Sequence, residues 1–188
     1  MQRRDFLNIL ALAPMVSLAG IMRGTMAHAA GPPGVSVKEV QGNWKALLAA
    51  NVEIATSSPP LVLADAEWKK RLSSAAYDVL RHEGTERPGS SPLNDEKRAG
   101  IFACAGCNLP LFSSAMKFDS GTGWPSYFTS IPGAFDTKKD FALFAPRTEY
   151  HCSKCGGHHG HVFDDGPQPT GQRWCNNGVA LRFILKAA

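Results

Sequence analysis

The sequence lacks two features that would point to common functions: a cluster of lysine and arginine, and an apolar run long enough to cross a membrane. Its 188 residues carry a formal net charge of +4, and leaving out the first 25 positions reduces the balance to 17 basic against 15 acidic residues, or +2. This balance excludes nucleic acid as an expected partner. The main apolar run, from Ile9 to Met22, has about 14 residues, whereas a membrane-spanning helix needs roughly 20.

The composition is that of a globular protein, with 44% hydrophobic and 9% aromatic residues. With 18 glycines and 13 prolines, it favours a turn-rich, strand-rich fold over a helical bundle. Two helices are predicted before the first cysteine, over Val40–Ala55 and Asp65–His82, because apolar residues recur there at helical spacing. A strand is predicted over Gly100–Ala103, and a hairpin over Phe135–Ala145 with its tip at Lys138-Lys139-Asp140.

The first 29 residues have the three parts of a secretory signal. Arg3-Arg4 is followed by Phe6-Leu7, the apolar run comes next, and Ala27-His28-Ala29 supplies a cleavage site. The paired arginines resemble a twin-arginine signal, which carries folded proteins across the bacterial inner membrane. We therefore expect residues 1–29 to engage the twin-arginine export machinery and the mature protein to be periplasmic. The alternative is an uncleaved membrane anchor; the segment has no cysteine for lipidation.

Downstream of this signal, Gly31-Pro32-Pro33-Gly34 has the composition of a linker. The expected organisation is a linker and N-terminal extension over residues 30–64, followed by one domain over residues 65–188. A domain of that length can bury a hydrophobic core of its own.

Four of the five cysteines form two Cys-x-x-Cys pairs, Cys104/Cys107 and Cys152/Cys155. Each pair can present two sulfur atoms from one tight turn, and two such turns supply the four thiolates of a closed, tetrahedral zinc site. We therefore predict one structural zinc ion per chain, which would brace two distant segments. The alternatives are two short-range disulfides or one redox-active dithiol, and a dithiol would leave the second pair without a role.

The fifth cysteine, Cys175, stands alone, and we expect it to be a nucleophile. Three histidines, at positions 158, 159 and 161, follow the second cysteine pair directly. A second metal site is conceivable there, although no other ligand cluster accompanies the histidines; proton donation or hydrogen bonding near neutral pH is the more natural use. Because residues three apart on a strand face opposite ways, His158 and His161 would converge only with a bend at Gly160.

A glycine-rich turn, Gly121-Thr122-Gly123, leads into Trp124. Glycines beside an aromatic residue permit unusual backbone angles and the close approach of a ligand. A tryptophan on a tight loop is more often part of the core, and this stretch taken by itself favours the core.

Taken together, the motifs resemble the B-type methionine-R-sulfoxide reductase family. The resemblance runs from about Glu67 to Phe183 and includes both cysteine pairs. The further motifs are Gly84-Thr85-Glu86-Arg87-Pro88, Lys117-Phe118-Asp119-Ser120-Gly121, Gly123-Trp124-Pro125-Ser126, Gly160-His161-Val162-Phe163-Asp164-Asp165-Gly166-Pro167, and Arg173-x-Cys175-x-Asn177 before Leu181-Arg182-Phe183. The resemblance implies a mainly β fold: a β-tent of two small antiparallel sheets braced by a four-cysteine zinc site, with short N-terminal helices.

The resemblance also assigns roles to single residues. Those matched to catalysis are Cys175, His158, His161 and Asn177, and those matched to the substrate site are Trp124, Phe163, Arg173 and Asp165. By this match Cys175 is the nucleophile, the histidines surround the sulfoxide oxygen, and Trp124 receives the S-methyl group. The implied reaction is attack of a thiolate, favoured by nearby His and Arg charge, on the sulfur of methionine sulfoxide. It releases methionine and leaves a sulfenic acid.

Two positions depart from the family pattern. Many members carry a resolving cysteine where this chain has Thr122, and an aromatic residue is common where this chain has Gly89. With the paired cysteines assigned to zinc, we expect a one-cysteine cycle in which an external thiol or a thioredoxin-like donor reduces the sulfenic acid. The expected substrates are oxidised exported proteins, and the expected form is a monomer.

Two other functions stay open at this point. A zinc-ribbon interaction module would need the cysteine pairs but neither Cys175 nor the histidines. A thiol redox sensor or peroxidase would use Cys175 alone.

Overall fold

A computed structural model describes residues 36–48, 52–141 and 146–186 of the protein. The predicted signal, residues 1–29, lies outside these ranges. Within them the chain folds into two antiparallel sheets with a few short helices. None of the helices described is both long and apolar enough to cross a membrane. The predicted mainly β fold of two antiparallel sheets is confirmed.

The three α-helices are α1 (Val37–Gly42), α2 (Asp65–Arg71) and α3 (Ser74–His82). The strands are β1 (Gly100–Cys104), β2 (Pro110–Ser113), β3 (Lys117–Phe118), β4 (Ser126–Tyr127), β5 (Phe135–Asp140), β6 (Arg147–Cys152), β7 (His158–Phe163), β8 (Arg173–Asn176) and β9 (Leu181–Leu185). Short 3₁₀ turns occupy Asn43–Leu47, Pro92–Asn94, Ser114–Met116 and Gly178–Ala180. The smaller sheet has the order β2-β1-β9 and the larger β3-β4-β8-β7-β6-β5.

Aromatic rings from both sheets meet in the core. Phe112 of the smaller sheet stacks on Tyr127 of the larger sheet with ring centroids 3.8 Å apart. Phe102 meets the same tyrosine edge-on at 5.3 Å, and Phe135 lies 5.2 Å from Phe112. Phe102, Phe112 and Tyr127 have no solvent exposure. Rings of this size dominate core energetics, so this contact holds the two sheets against each other.

The single helix predicted over Asp65–His82 is wrong: the segment forms two helices, α2 and α3. Leu72 has extended backbone angles, and the side chain of Ser73 accepts a hydrogen bond from the N–H of Ala76. A serine in that position caps a new helix instead of continuing the old one. The spacing of apolar residues continues across the break between the two helices because both helices bury apolar side chains in the same core. Trp68 of α2 and Leu80 of α3 are among them.

Two further boundaries were wrong. The helix predicted over Val40–Ala55 ends early, because α1 gives way to a 3₁₀ turn and the backbone is extended at Leu48. The proposed hairpin tip at 138–140 lies inside β5, where it pairs with 147–149 of β6. An ion pair between Asp140 and Arg147 closes that end of the ladder at 2.5 Å.

The described part of the N-terminal extension packs on the domain. Gln41 donates to the hydroxyl of Thr129 at 2.8 Å, and the N–H of Leu61 donates to the carbonyl of Lys154 at 2.7 Å. Lys154 in turn donates to the carbonyl of Pro59 at 2.9 Å. Residues 59–61 therefore run alongside the second cysteine pair.

A β-bulge interrupts the pairing of β6 with β7. His158 lies opposite His151 and Gly160 lies opposite Tyr150, so His159 is an extra residue between two paired positions. A bulge of this kind reverses the alternation of side chains after it. His158 and His161 therefore project from the same face of the sheet.

The side chain of the extra residue, His159, turns into the core. It is fully buried, with its ring 5.6 Å from that of Phe135 and stacked 6.5 Å from that of Tyr150. Neither ring nitrogen makes a hydrogen bond of normal geometry, although the side chain of Asn176 acts on the ring. Burial lowers the pKa of His159 to about 3, so the ring is neutral at physiological pH.

We predict that His159→Leu stabilises the fold by about 1 kcal/mol, because it removes two buried nitrogen atoms that lack partners. The gain should be larger at about pH 5.5 than at about pH 8. The pKa of His159 is lower in the folded chain than in the unfolded one, so only the unfolded chain gains a proton between these pH values. Wild-type stability from this residue is therefore lost as the pH falls. Chemical denaturation of both proteins at both pH values measures the difference, and a gain that does not grow on acidification would contradict it.

Candidate active site

The sulfur atoms of the four paired cysteines form one cluster. The Sγ atoms of Cys104 and Cys155 are 3.7 Å apart, and those of Cys107 and Cys152 are 3.5 Å apart. A tetrahedral zinc with Zn–S bonds of about 2.3 Å places its sulfur atoms about 3.8 Å apart, so the cluster fits this ion. All four are free thiols and not disulfides. The cluster can therefore hold a metal ion, as the spacing of the pairs predicts.

The two cysteine pairs use the same kind of turn. The N–H of Asn108 donates to the carbonyl of Cys104 at 2.9 Å, and the N–H of Gly156 donates to that of Cys152 at 2.8 Å. Asn108 and Gly156 have φ values of 62° and 67°, which asparagine and glycine tolerate better than other residues. Because Cys104 ends β1 and Cys152 ends β6, the cluster joins the two sheets.

Cys175 lies in β8, away from this cluster, and is paired across the ladder with His161 of β7. It borders a cavity of about 160 Å³ that Trp124, His161 and Phe163 also line. A larger cavity of about 300 Å³ lies beside Trp44, and no cysteine or histidine of the described chain lines it. The smaller cavity is therefore the candidate active site.

The surroundings of Cys175 act on its charge in opposite directions. Burial raises the pKa of the Cys175 thiol, and the charge of Arg173 and the hydroxyl of Thr122 lower it only in part. Arg173 shares its charge with Asp165, through bonds of 2.8 and 2.9 Å, and lies over the ring of Phe163 at 4.3 Å. The predicted arginine charge is present, but burial outweighs it. This direction favours the thiol over the expected thiolate in the resting enzyme.

The bulge brings His158 and His161 together, with ring centroids 5.6 Å apart. The irregularity lies at His159, one residue before the bend expected at Gly160. Gly160 nevertheless has a special place: its φ is 155°, and a Cβ there would lie 2.0 Å from the carbonyl oxygen of Cys175. Only glycine lets β7 approach β8 this closely.

Each of the two histidines has a carboxylate partner. His161 lines the cavity, and its Nε2 lies 2.9 Å from Asp140 Oδ2. His158 is buried behind it, with Nδ1 2.5 Å from Glu149 Oε1. Burial lowers the pKa of His158 although Glu149 opposes the shift, which favours a neutral ring. His161 is thus placed next to Cys175, and His158 supports it from within.

Asn177 lines the cavity, but both ends of its amide are already bonded to the backbone. Its Oδ1 accepts from the N–H of Glu86 at 3.0 Å, and its Nδ2 donates to the carbonyl of His159 at 3.0 Å. Asn177 is only 4% exposed, so its side chain has little freedom to change partners. Its position in the structure is therefore that of a fixed part of the cavity wall.

Glu86 connects three parts of the site. Its carbonyl accepts from the indole N–H of Trp124 at 3.1 Å, and its N–H donates to Asn177. Its carboxylate accepts from the N–H groups of Gly178 and Val179 at 2.6 and 2.9 Å. This residue was missed as a site residue from the sequence, although it lies in the Gly84–Pro88 motif. It orients both the indole wall and the segment that follows Cys175.

We predict that alkylation of Cys175 by iodoacetamide accelerates with pH to a midpoint above that of a free cysteine, about 8.5. Arg173→Gln should raise the midpoint further, because the variant loses the positive charge that lowers the thiol pKa. If the midpoint rises by about one pH unit, alkylation at neutral pH becomes about 10-fold slower. Mass spectrometry of the peptide containing Cys175 gives the rate.

The matched control is Arg182→Gln, which removes an exposed arginine on β9. It should leave the midpoint unchanged. A wild-type midpoint at or below that of free cysteine, or equal changes in the two variants, would contradict the role given to Arg173.

Comparison with known proteins identifies the family of this chain. The SelR domain model matches residues 72–185. The peptide methionine sulfoxide reductase MsrB of Agrobacterium fabrum is 47% identical over 128 residues, covering 68% of this chain and 95% of that protein. That of Methanosarcina barkeri is 50% identical over 121 residues (64% and 85%), and the chloroplastic B1 enzyme of Arabidopsis thaliana is 47% identical over 134 residues (71% and 66%). The chain belongs to the SelR-domain family of B-type peptide methionine sulfoxide reductases.

Proposed function

We propose that this enzyme reduces the R epimer of methionine sulfoxide in oxidised proteins, with Cys175 as the nucleophile. The observation that carries the proposal is the cavity itself, where the Cys175 thiol, the indole of Trp124 and the ring of His161 border one space. An apolar surface and a proton-carrying group beside a single thiol are what sulfoxide reduction requires.

In the proposed reaction the sulfur of Cys175 attacks the sulfur of the sulfoxide while His161 supplies a proton to the oxygen. The attack forms a bond between the two sulfur atoms, and the protonated oxygen leaves the sulfoxide sulfur. The oxygen then bonds to the sulfur of Cys175 as the S–S bond breaks, which releases methionine and leaves a sulfenic acid. The two electrons that reduce the sulfoxide come from the thiol. Because the Cys175 pKa is raised, the thiol gives up its proton during the attack, and this proton replaces the one that His161 donates to the oxygen. Arg173 and Thr122 stabilise the charge that develops on the sulfur.

The shape of the cavity supports selection of one epimer. The indole of Trp124, held by Glu86, offers an apolar wall to the S-methyl group, while His161 and Arg147 offer polar groups to the oxygen. The side chain that links the sulfur to the peptide must point toward solvent. With that direction fixed, the methyl group and the oxygen exchange places only when the configuration at sulfur is inverted. The S epimer would put its oxygen against the indole.

We infer that zinc is the ion that the four paired cysteines hold. With four thiolates as ligands the ion has no open position, so its role is to brace the two sheets, and no step of the reaction passes through it.

We predict that Cys175→Ser lowers turnover of a blocked methionine-R-sulfoxide by about 10³-fold or more, because a hydroxyl cannot form the sulfenic acid. Zinc content should stay at one ion per chain, since Cys175 lies outside the cluster. An assay on the separated epimers with dithiothreitol as reductant measures this. The proposal is contradicted if the variant is active, or if the wild-type enzyme reduces the S epimer as fast as the R epimer. If a folded, zinc-loaded wild-type protein reduces neither epimer, the zinc-ribbon interaction module is favoured instead.

The recycling step is proposed to use no second cysteine of this chain. The other four cysteines lie together in the metal cluster, and the position of the usual resolving cysteine is Thr122, whose hydroxyl lowers the pKa of Cys175. A hydrogen-bonded series from Thr122 through Ser120 to Ser126 holds this hydroxyl in place, with both bonds at 2.8 Å. An external thiol or a thioredoxin-like protein would therefore reduce the sulfenic acid directly.

After one equivalent of substrate without reductant, we expect dimedone to label Cys175 and mass spectrometry to find no intrachain disulfide. The Thr122→Cys variant should lose this label, because its new thiol lies close enough to condense with the sulfenic acid. Thr122→Ser is the matched control and should keep it. A disulfide between Cys175 and another cysteine of the wild-type chain would refute the one-cysteine cycle.

We further propose that the enzyme works as a monomer in the periplasm and repairs exported proteins. The paired arginines and the apolar run within residues 1–29 support this location. Export of the folded protein suits the four-cysteine cluster, since the metal can be loaded in the reducing cytoplasm before the thiols meet an oxidising compartment.

A further inference from the structure

Three metal-ligating side chains outside the cysteine cluster share one face of the β6–β7 hairpin. Glu149 and His151 are two residues apart on β6 and therefore point the same way. His158 lies directly opposite His151 on β7. The histidine run alone showed no accompanying ligands in the sequence, because these partners stand on the neighbouring strand.

The ligand atoms of the three side chains converge. Glu149 Oε1 lies 2.9 Å from His151 Nε2 and 2.5 Å from His158 Nδ1, and all three groups place one ligand atom within 4.8 Å of the others. The side chains of Glu149 and His158 are 4% and 2% exposed, and that of His151 is 16% exposed. An ion can therefore reach the cluster past His151.

The hydrogen bonds around His151 leave one nitrogen for a ligand. Its Nδ1 lies 3.2 Å from the carbonyl oxygen of Gly156, which can only accept, so the tautomer that makes this bond has its proton on Nδ1. Its Nε2 then presents a lone pair. That atom is buried without a hydrogen-bond partner and faces the Glu149 carboxylate. In this tautomer two acceptors face each other, an arrangement that a cation between them would relieve.

The surrounding charges leave room for a cation. Lys138 Nζ lies 3.1 Å from the other carboxylate oxygen of Glu149 and 2.7 Å from Glu83 Oε1. The lysine therefore holds Oε2 and leaves Oε1 toward the histidines. One ammonium between two carboxylates leaves the local balance negative before any metal ion arrives.

We propose that Glu149, His151 and His158 form a second metal site, which binds a divalent transition metal ion of the Zn²⁺, Co²⁺ or Ni²⁺ class. Two imidazoles and one carboxylate are a ligand set that zinc uses when a fourth position stays open to water. The site has one fewer protein ligand than the cysteine cluster and no thiolate, so it binds more weakly and exchanges its ion.

Occupation of this site would act on catalysis. The ion takes Nδ1 of His158, the nitrogen that faces Glu149, and fixes a ring 5.6 Å from that of His161. Metal binding should therefore inhibit the enzyme reversibly. This consequence rests on the proposed function, whereas binding of the metal does not.

The test uses the zinc-loaded protein carrying Cys175→Ser, so that no reactive thiol competes for the ion. Isothermal titration calorimetry with Zn²⁺ or Co²⁺ should show one further ion bound per chain, beyond that of the cysteine cluster. His151→Gln should weaken this binding by about 10-fold or more, because it removes a ligand. His82→Gln, which changes an exposed histidine outside the cluster, should not.

NMR of the histidine ring protons gives a readout that needs no variant. Zn²⁺ should shift the resonances of His151 and His158 and leave those of His82 in place. Absence of a further bound ion, unshifted rings of His151 and His158, or binding equally strong in His151→Gln would each overturn the site.

Activity separates the site from its consequence. With Cys175 present, added Zn²⁺ should inhibit turnover of the R-sulfoxide, EDTA should restore it, and His151→Gln should be inhibited less. A second ion that binds without inhibiting an active enzyme overturns the inhibitory role alone. If calorimetry finds no second ion, the site is rejected. If the assay finds no sulfoxide reductase activity, the proposed function is rejected, and the two results are obtained independently.

Discussion

The close approach of Gly160 to the carbonyl of Cys175 is the contact on which the rest of the site depends. Any side chain at that position would collide with the oxygen, at a Cβ distance of 2.0 Å, so β7 and β8 can pair only with glycine there. The bulge at His159 lies beside this contact. Together they place the nucleophile on β8 beside His158 and His161, which project from a common face of the sheet. The side chain of His159 is buried in the core.

The fold keeps its two kinds of cysteine apart. Four thiols lie at the ends of β1 and β6 and in the turns that follow, where they join the sheets. The fifth lies within β8, and the backbone carbonyl of Cys175 accepts from the buried hydroxyl of Tyr150 at 3.0 Å. The reactive sulfur therefore stands on a strand fixed by core contacts, at a distance from thiols with which it could exchange.

Local patterns carried the parts of this structure that could be predicted. The spacing within each cysteine pair directly indicates a metal cluster. Cys175 stands out because the other four cysteines are assigned to that cluster. Helical spacing missed the break at Ser73, since an apolar stripe does not register a serine that caps a new helix. The carboxylates were missed for another reason. The carboxylates of Glu86, Glu149 and Asp140 meet their partners across 92, 9 and 21 residues, so their roles depend on tertiary contacts that the sequence does not display.

The three-way bonding of Glu86 also bears on how the site can change over evolution. One residue uses its N–H, its carbonyl and its carboxylate to hold Asn177, Trp124 and the turn after the nucleophile. Groups that share a partner in this way do not respond independently to substitution. Changes in the indole wall and in the polar wall would therefore show strong epistasis, and the pocket can be reshaped only as a unit.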